Sequence, residues 1–223
     1  MESEDVYRWY QSPSGDQQDL QGLTRDRQQF AAKILPGSLR GESLLDVGCA
    51  EGVFCAEALL RGATKVVGID KKERRVSMAN QLQTSTGPNA DFVFADFEDM
   101  TPDHVGEFDY VVCLNVIHHA LDPVRFIQKL AMATRKKLIL EIAGLDELEA
   151  KGALGLWKYF FSLVPRNFQP PVMVHGVNSG FCLSPRAVTQ IVQKVPGVKF
   201  RSIEIRESYK SYKKTRYLFI ASK

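Results

Sequence analysis

Three short apolar runs in the first hundred residues each end in an aspartate, and segments with helical spacing separate them. The runs occupy residues 44–46, 66–70 and 92–96. Apolar runs of this length are typical of strands that are buried on both faces of a parallel sheet. Repeated strand–helix–strand units predict right-handed crossovers, which place the carboxyl ends of the strands at one edge of the sheet. We therefore expect Asp46, Asp70 and Asp96 to lie along that edge.

The turn after the first run carries Gly48 and Gly52. A residue without a Cβ atom lets the backbone bend sharply and lets a ligand approach closely. A dinucleotide site would use G-x-G-x-x-G and set a pyrophosphate on the helix N-terminus. Here Asp46 and Glu51 flank the turn, and two carboxylates repel a pyrophosphate but suit a ligand with an ammonium or sulfonium charge. The alternative is an ordinary strand-to-helix turn.

The two later aspartates favour a nucleoside ligand. An acid at the end of the second strand, roughly 20 residues after the first, typically binds ribose hydroxyls, and Asp70 has this position. Asp96 ends the third run, where its carboxylate can accept a hydrogen bond from an exocyclic amine with Phe97 beside the base. One acid at a strand end is usually a cap or a turn former. Three in series make that interpretation the weaker one.

These segments resemble the first three motifs of class I S-adenosylmethionine-dependent methyltransferases, and Phe108–Asn115 resembles the fourth. The resemblance covers roughly residues 40–143. It implies S-adenosylmethionine (SAM) as cofactor and a Rossmann-like fold, a doubly wound α/β sheet of seven mostly parallel strands with an antiparallel C-terminal strand. The cofactor-binding residues that it implies are Asp46, Gly48, Cys49, Ala50, Gly52, Asp70, Lys71, Asp96, Phe97 and Asn115. One position departs from the family pattern, because many members have glycine where this chain has Ala50.

The segment that follows the fourth run, Asn115–Pro123, resembles a narrower group, the tRNA wobble-uridine 5-oxyacetate methyltransferases. His119 takes the histidine position of that group and His118 replaces a tyrosine. Small-molecule O- and C-methyltransferases also carry histidine pairs here, so the acceptor stays open. Histidine titrates near neutral pH and can take a proton from a hydroxyl. We predict that His119 is the general base and that His118 lines the pocket; the alternative for each is a structural histidine.

The alternation of strands and helices indicates a single methyltransferase domain over residues 1–223, with a helical cover at 1–40 and a lid insertion at 145–183. The predicted strands lie near 43–47, 65–69, 91–95, 108–114 and 136–142, and the predicted helices near 24–35, 51–61, 72–84 and 122–133. An antiparallel pair at 198–205 and 217–221 closes the sheet. Pro185, after Ser184, fits the first position of a helix before that pair.

The segment 145–183 is rich in aromatic residues and prolines, including Trp157, Phe160 and Phe168. Because it follows the fifth predicted strand, it belongs at the carboxyl edge of the sheet, where it can cover a substrate. The alternative is a surface helix that buries its aromatic side chains on the core. His175, in the same segment, is a weaker candidate for chemistry.

Composition agrees with a cytoplasmic enzyme, with 44% hydrophobic and 25% charged residues. No apolar run reaches the roughly 18 residues of a membrane span, and the acidic N-terminal residues do not fit a signal peptide. The four cysteines have no CxxC spacing, which favours reduced thiols in the core. No cluster of cysteine and histidine has zinc spacing, so no metal is predicted.

A basic cluster before the last strand raises the question of whether the chain binds RNA. It comprises Lys210, Lys213, Lys214 and Arg216, interleaved with Tyr209 and Tyr212. Such residues can contact phosphates and stack on bases, but lysines also blunt exposed sheet edges. The net charge of only +3 favours the second interpretation. We therefore predict a SAM-dependent methyltransferase that acts on a hydroxyl or activated carbon of a small molecule. The alternatives are a tRNA wobble-uridine methyltransferase and a non-catalytic partner subunit.

Overall fold

The structure is a computed structural model that describes residues 29–83, 89–143, 171, 173–176, 180–211 and 214–223. Residues 29–34 are helical. The elements that follow are β1 (Ser43–Val47), α1 (Val53–Leu60), β2 (Lys65–Asp70), α2 (Glu73–Leu82), β3 (Asp91–Phe94), α3 (Pro102–Val105), β4 (Phe108–Leu114), a 3-10 turn (Ile117–His119), α4 (Pro123–Met132), β5 (Thr134–Ala143), β6 (Met173–Gly176), β7 (Gly180–Leu183), α5 (Pro185–Gln193), β8 (Ser202–Ser211) and β9 (Lys214–Ser222).

Seven of the strands form one sheet in the order β3-β2-β1-β4-β5-β9-β8. β1 pairs with β2, and β2 with β3, in parallel. β9 runs antiparallel to both of its neighbours, β5 and β8. The predicted doubly wound, mostly parallel sheet with an antiparallel C-terminal strand is therefore confirmed. None of the described helices is long and apolar enough to cross a membrane.

The described residues group into two compact units, of which the first comprises residues up to Asp99 together with Phe108–Tyr110. Every residue of β1 is buried, as expected for a central strand that has helices on both faces. Helix α1 packs on β1 and β2 through the buried residues of Val53–Ala58. This packing fixes the turn that joins β1 to α1.

Arg61 joins two helices of the first unit. Its guanidinium forms an ion pair of 2.7 Å with Glu57 on α1. It also donates to the backbone carbonyl groups of Leu35 and Pro36, at 2.7 and 2.6 Å, just after the helical residues 29–34. The carbonyl groups at a helix end have no partner within the helix. Arg61 therefore caps that end and neutralises a buried carboxylate at the same time.

The second unit comprises Met100–Glu107 and the residues from Val111 onward. Two of its helices begin as the sequence chemistry predicts. The side chain of Ser184 accepts a hydrogen bond from the backbone N–H of Ala187, and Pro185 occupies the first turn of α5. The Asp122 side chain accepts from the N–H of Arg125 at the start of α4. The predicted start of α5 at Ser184 and Pro185 is confirmed.

Two features of the second unit were not predicted. Within the segment predicted as a lid, strands β6 and β7 form an antiparallel hairpin, while residues 145–170 lie outside the described residues. The closing pair β8–β9 extends to Ser211 and Lys214, well beyond the predicted strand ends. Cross-strand pairing satisfies the backbone of these polar residues even though their composition is typical of a turn. The predicted helical cover at 1–40 lies outside the described residues up to residue 28.

Candidate functional site

Every second residue of the turn between β1 and α1 has a left-handed backbone conformation. Gly48 has φ +80°, Ala50 has φ +50° and Gly52 has φ +83°. Glycine adopts this region freely, whereas an alanine there costs about 1–2 kcal/mol. The conformation explains why a glycine suits position 50. The alanine of this chain adopts the same backbone shape at a modest energetic cost.

Four backbone N–H groups of this turn, those of Gly48, Cys49, Ala50 and Gly52, are bonded within the protein. Those of Gly48 and Cys49 both donate to the carbonyl oxygen of Ile69, at 2.7 and 3.1 Å, and that of Gly52 donates to the carbonyl oxygen of Cys49 at 2.8 Å. A loop that binds pyrophosphate needs such N–H groups to point at the phosphates. The observed turn is therefore unsuited to a dinucleotide, as the flanking acids predict.

Asp46, at the end of β1, gives the turn a negative environment. It is 3% exposed, and the Cys55 thiol donates to its carboxylate at 3.9 Å. Burial, reinforced by the charge of Asp46, raises the pKa of the Cys55 thiol well above its ordinary value. Burial also raises the pKa of the Cys49 thiol. Both cysteines are therefore neutral groups that line the turn and are not nucleophiles.

Asp70 connects the turn to the end of β2. Its Oδ2 accepts the N–H of Ala50 at 3.0 Å and its Oδ1 accepts the N–H of Lys72 at 2.8 Å. Arg75 lies 3.6 Å from Oδ2, and Asp70 is 4% exposed. A carboxylate has about four acceptor positions. Each oxygen of Asp70 therefore retains capacity for a ligand hydroxyl.

Asp96 follows β3 and is more accessible. Its Oδ1 accepts the N–H of Glu98 at 3.0 Å, and its Oδ2 lies 3.8 Å from the Lys71 ammonium. Phe97, by contrast, is buried, with 3% exposure. Asp96 thus offers a partly exposed carboxylate, while Phe97 is packed in the interior.

Sequence reasoning missed the contact between Phe92 and two glycines. Gly68 and Phe92 are register partners on β2 and β3. A Cβ atom on Gly68 would lie 2.6 Å from Cδ1 of Phe92, and one on Gly52 would lie 2.4 Å from its Cζ. The ring therefore occupies the space that both glycines leave open. The Gly68 in the middle of an apolar run was the sequence signal for such a close approach.

In the second unit, Arg216 connects two residues of the predicted site region. Its Nη1 donates to Oδ1 of Asn115 and lies 3.7 Å from Oε2 of Glu141. Asn115 has φ +61°, a left-handed conformation that asparagine tolerates better than most residues. Arg216 lies within β9, and its side chain is 28% exposed. Glu141 is buried, with 8% exposure.

His118 and His119 lie together in the 3-10 turn, with ring centroids 3.9 Å apart. Among the residues that the structure describes, Nδ1 of His118 is buried without a hydrogen-bond partner. Burial, followed by the charges of His119 and Arg216, lowers the pKa of His118 to about 4. His119 is the more exposed of the two. His118 is therefore neutral near pH 7.

The β6–β7 hairpin contacts this histidine turn at Gly180. That residue has φ +70°, and a Cβ atom on it would lie 1.9 Å from the carbonyl oxygen of His118. Only glycine fits this approach. His175 lies in β6, where its backbone pairs with Phe181. Within the described part of the chain, no group of three or more His, Cys, Asp or Glu residues is arranged to hold a metal ion.

The structure distributes the predicted site residues between the two units. The first unit contains the residues assigned to the turn, the ribose and the base, from Asp46 to Phe97. The second contains Asn115 and the histidine pair. The side chains of Lys210, Lys213 and Lys214, which belong to the basic cluster, lie outside the described residues.

Comparison with known proteins gives consistent results. The ubiquinone biosynthesis O-methyltransferase of Thiobacillus denitrificans is 31% identical over 56% of this chain and 52% of its own length. The enzyme of the same name from Xanthomonas euvesicatoria is 28% identical over 71% of this chain and 66% of its own length. The chain thus spans half to two thirds of these curated relatives.

A solved structure shares the fold over nearly the whole chain. The magnesium protoporphyrin IX methyltransferase from Synechocystis PCC 6803, with bound SAH, aligns with a TM-score of 0.65 and 21% identity over 99% of this chain and 94% of its own. A sequence family described as a methyltransferase domain matches residues 38–155. Because that match covers more than half of the chain, this protein belongs to the methyltransferase domain family.

Proposed function

We propose that the chain is a SAM-dependent methyltransferase that acts on a hydroxyl or activated carbon of a small molecule. The observation that carries the proposal is the turn 48–52. Four of its N–H groups are bonded within the protein, acids flank it, and the N–H of Ala50 is bonded to the buried Asp70. This arrangement suits a nucleoside that carries a sulfonium or ammonium group and disfavours a pyrophosphate.

The residues present fit SAM in their chemistry. Asp70 keeps acceptor capacity for two ribose hydroxyls, and the partly exposed Asp96 can accept from the exocyclic amine with Phe97 behind the base. Asp46 and Glu51 provide the negative potential for the positively charged end. The turn residues Gly48, Cys49, Ala50 and Gly52 complete the proposed cofactor-binding set, with Lys71 beside Asp96 and Asn115 assigned by the resemblance.

When bound, SAM supplies a methyl group activated by its positively charged sulfur. The chain's own contribution is to align the acceptor and to take its proton as the methyl group arrives. We assign proton removal to His119, which is the more exposed member of the pair. His118, neutral and partly buried, lines the acceptor side of the second unit.

The small-molecule acceptor is favoured over tRNA by three observations. The proteins compared above are named as O-methyltransferases of ubiquinone biosynthesis and as a magnesium protoporphyrin IX methyltransferase. The net charge is only +3. Arg216, one of the four residues proposed to contact RNA, is bonded to Asn115. A cytoplasmic location and reduced thiols are proposed from the four cysteines, all of which are buried.

The test is an assay of methyl transfer from isotopically labelled SAM. The acceptors are a panel of phenols and hydroxy acids, with unmodified tRNA as the competing class. We expect label in a small acceptor and equal formation of SAH. Label in tRNA, with binding that falls steeply as salt rises, would reverse the choice of acceptor. SAH binding without any transfer would favour the non-catalytic partner subunit.

His119→Ala tests the assignment of the base once an acceptor is known. Turnover should fall roughly 10²–10⁴-fold with little change in SAH affinity. If His118→Ala abolishes turnover while His119→Ala does not, the base is His118. If neither substitution matters, catalysis proceeds by alignment alone.

A further inference from the structure

A polar cluster in the second unit shares one residue, Asn115, with the proposed cofactor site and otherwise lies outside it. It consists of Asn115, His118, Glu141, Ser208 and Arg216, and we call it the Arg216 cluster. Arg216 on β9 lies directly opposite Ser208 on β8. Residues that face each other across paired strands project from the same face of the sheet, with their Cβ atoms about 4.5–5.5 Å apart. The Ser208 hydroxyl and the Arg216 side chain are therefore neighbours.

The charge of Arg216 is balanced inside the cluster. Glu141, on β5, is diagonal to Arg216, and its Oε2 lies 3.7 Å from the guanidinium. The two side chains are 11% and 28% exposed, so their charges are only partly screened by water. Because these two opposite charges offset each other, the cluster has no net attraction for an anion or for a cation. The cluster therefore suits an uncharged polar group.

Two buried polar atoms beside Arg216 are unpaired in the described part of the chain. They are Oγ of Ser208, a residue only 4% exposed, and Nδ1 of His118. Arg216 is close enough to His118 for its charge to help keep that imidazole neutral. Buried polar atoms are almost always hydrogen-bonded, and leaving them unpaired is unfavourable. Two such atoms near one guanidinium point to a ligand group that binds there.

We propose that the Arg216 cluster is an acceptor-binding subsite, in which Ser208 and His118 bind a hydroxyl or carbonyl oxygen of an uncharged polar molecule. The inference rests on the proposed methyltransferase function and adds the acceptor class to it. The serine hydroxyl both donates and accepts, and a neutral imidazole nitrogen does either according to its tautomer. Hydroxyl or amide groups of the acceptor can therefore satisfy these unpaired atoms.

The test measures binding of three phenols of the same shape to the SAH-saturated protein by ligand-observed NMR. The probes are 4-hydroxybenzamide, which is neutral, 4-hydroxybenzoate, an anion, and 4-hydroxybenzylamine, a cation. We expect the amide to bind at least about fivefold more tightly than either charged probe, the factor that one net hydrogen bond supplies. Preferential binding of the benzoate or the amine, or no binding of the amide, would overturn the proposal.

Ser208→Ala locates the binding, with Ser202→Ala as its matched control. Both residues are serines of β8, but Ser202 is exposed whereas Ser208 is buried beside Arg216. We expect Ser208→Ala to weaken amide binding about five- to tenfold and Ser202→Ala to leave it unchanged. Equal amide affinity in the two variants would overturn the subsite.

SAH affinity, measured by calorimetry on the same proteins, separates the subsite from the proposed function. We expect it to be unchanged in both serine variants, which also shows that they are folded. If the unsubstituted chain fails to bind SAH, the proposed function fails. The three probes are then titrated into the unliganded chain, where the same order of affinities and the same loss in Ser208→Ala would still support the subsite.

Discussion

The backbone N–H of Ala50 donates a hydrogen bond of 3.0 Å to Oδ2 of Asp70, which joins the turn after β1 to the end of β2. Both residues are buried, at 8% and 4% exposure. Ala50 is left-handed, and a hydrogen bond to a buried carboxylate contributes about 1.5–3 kcal/mol, enough to offset the cost of that conformation. The bond therefore holds the turn in the shape that the proposed cofactor requires.

Substitutions at Ala50 should follow its backbone conformation. Ala50→Gly removes the cost of about 1–2 kcal/mol that alanine incurs in a left-handed conformation. It also stabilises the unfolded state by about 0.4–1 kcal/mol, because glycine gives the unfolded chain more conformational entropy. Its free energy of unfolding should therefore stay within about 1 kcal/mol of the parent. Ala50→Val places a β-branched residue at φ +50° and should lose more than about 2 kcal/mol. Urea unfolding measures both, and a neutral Ala50→Val would contradict the observed turn.

Gly180→Ala should displace the histidine turn. The new Cβ atom would meet the backbone carbonyl oxygen of His118 at 1.9 Å, which no side-chain rotation can relieve. Gly197→Ala is the matched control, because Gly197 has a similar φ of +74° but no described atom within 4 Å of the added carbon. We expect Gly180→Ala to cost about 1–3 kcal/mol more than the control in urea unfolding. Equal losses of unfolding free energy in the two variants would mean that Gly180 does not contact the backbone of His118.

Much of the first unit is predictable because its signals are local. The apolar run at 43–47 matches β1 residue for residue, and the aspartates that end the runs indicate the edge at which the strands finish. The caps at Ser184 and Pro185 follow from helix-terminus chemistry alone. In each case the residues that determine the structure lie within a few positions of one another.

The missed features depend on contacts between distant residues. Arg216 and Asn115 are 101 residues apart, so no local pattern reveals that one binds the other. The contact of Phe92 with Gly68 depends on the register of two parallel strands. The length of β8 and β9 was underestimated because cross-strand pairing overrides the turn-like composition of their polar residues.

Arg61→Ala should destabilise the chain strongly. It removes the partner of the buried Glu57 and leaves the carbonyl groups of Leu35 and Pro36 without their donor. Breaking a buried ion pair costs about 3–5 kcal/mol. The control is Arg135→Ala. In the unsubstituted chain Arg135 pairs with Glu107, and both side chains are more than half exposed, so this pair should contribute less than about 1 kcal/mol. Similar losses of unfolding free energy in the two variants would refute the capping role of Arg61.

His118 should make stability depend on pH. Its pKa is about 4 in the folded chain, below the ordinary 6.5, so only the unfolded chain binds a proton between these values. The free energy of unfolding should therefore fall as pH drops from about 6.5 towards 4, by at most about 1.4 kcal/mol per pH unit. His118→Gln should remove this component of the slope, and His104→Gln, at an exposed histidine, controls for the exchange. An unchanged slope in His118→Gln would contradict the buried, neutral imidazole.

Calorimetric titration of SAH into the parent chain and into Asp70→Asn tests the cofactor site most directly. Asp91→Asn, at an exposed aspartate where β3 begins, is the control. The parent and the control should bind one SAH per chain with equal affinity. Asp70→Asn should bind roughly ten- to a hundredfold more weakly, because charge-assisted hydrogen bonds contribute about 1.5–3 kcal/mol. A parent chain that does not bind SAH, or an Asp70→Asn variant that binds it as tightly as the parent, would contradict the account.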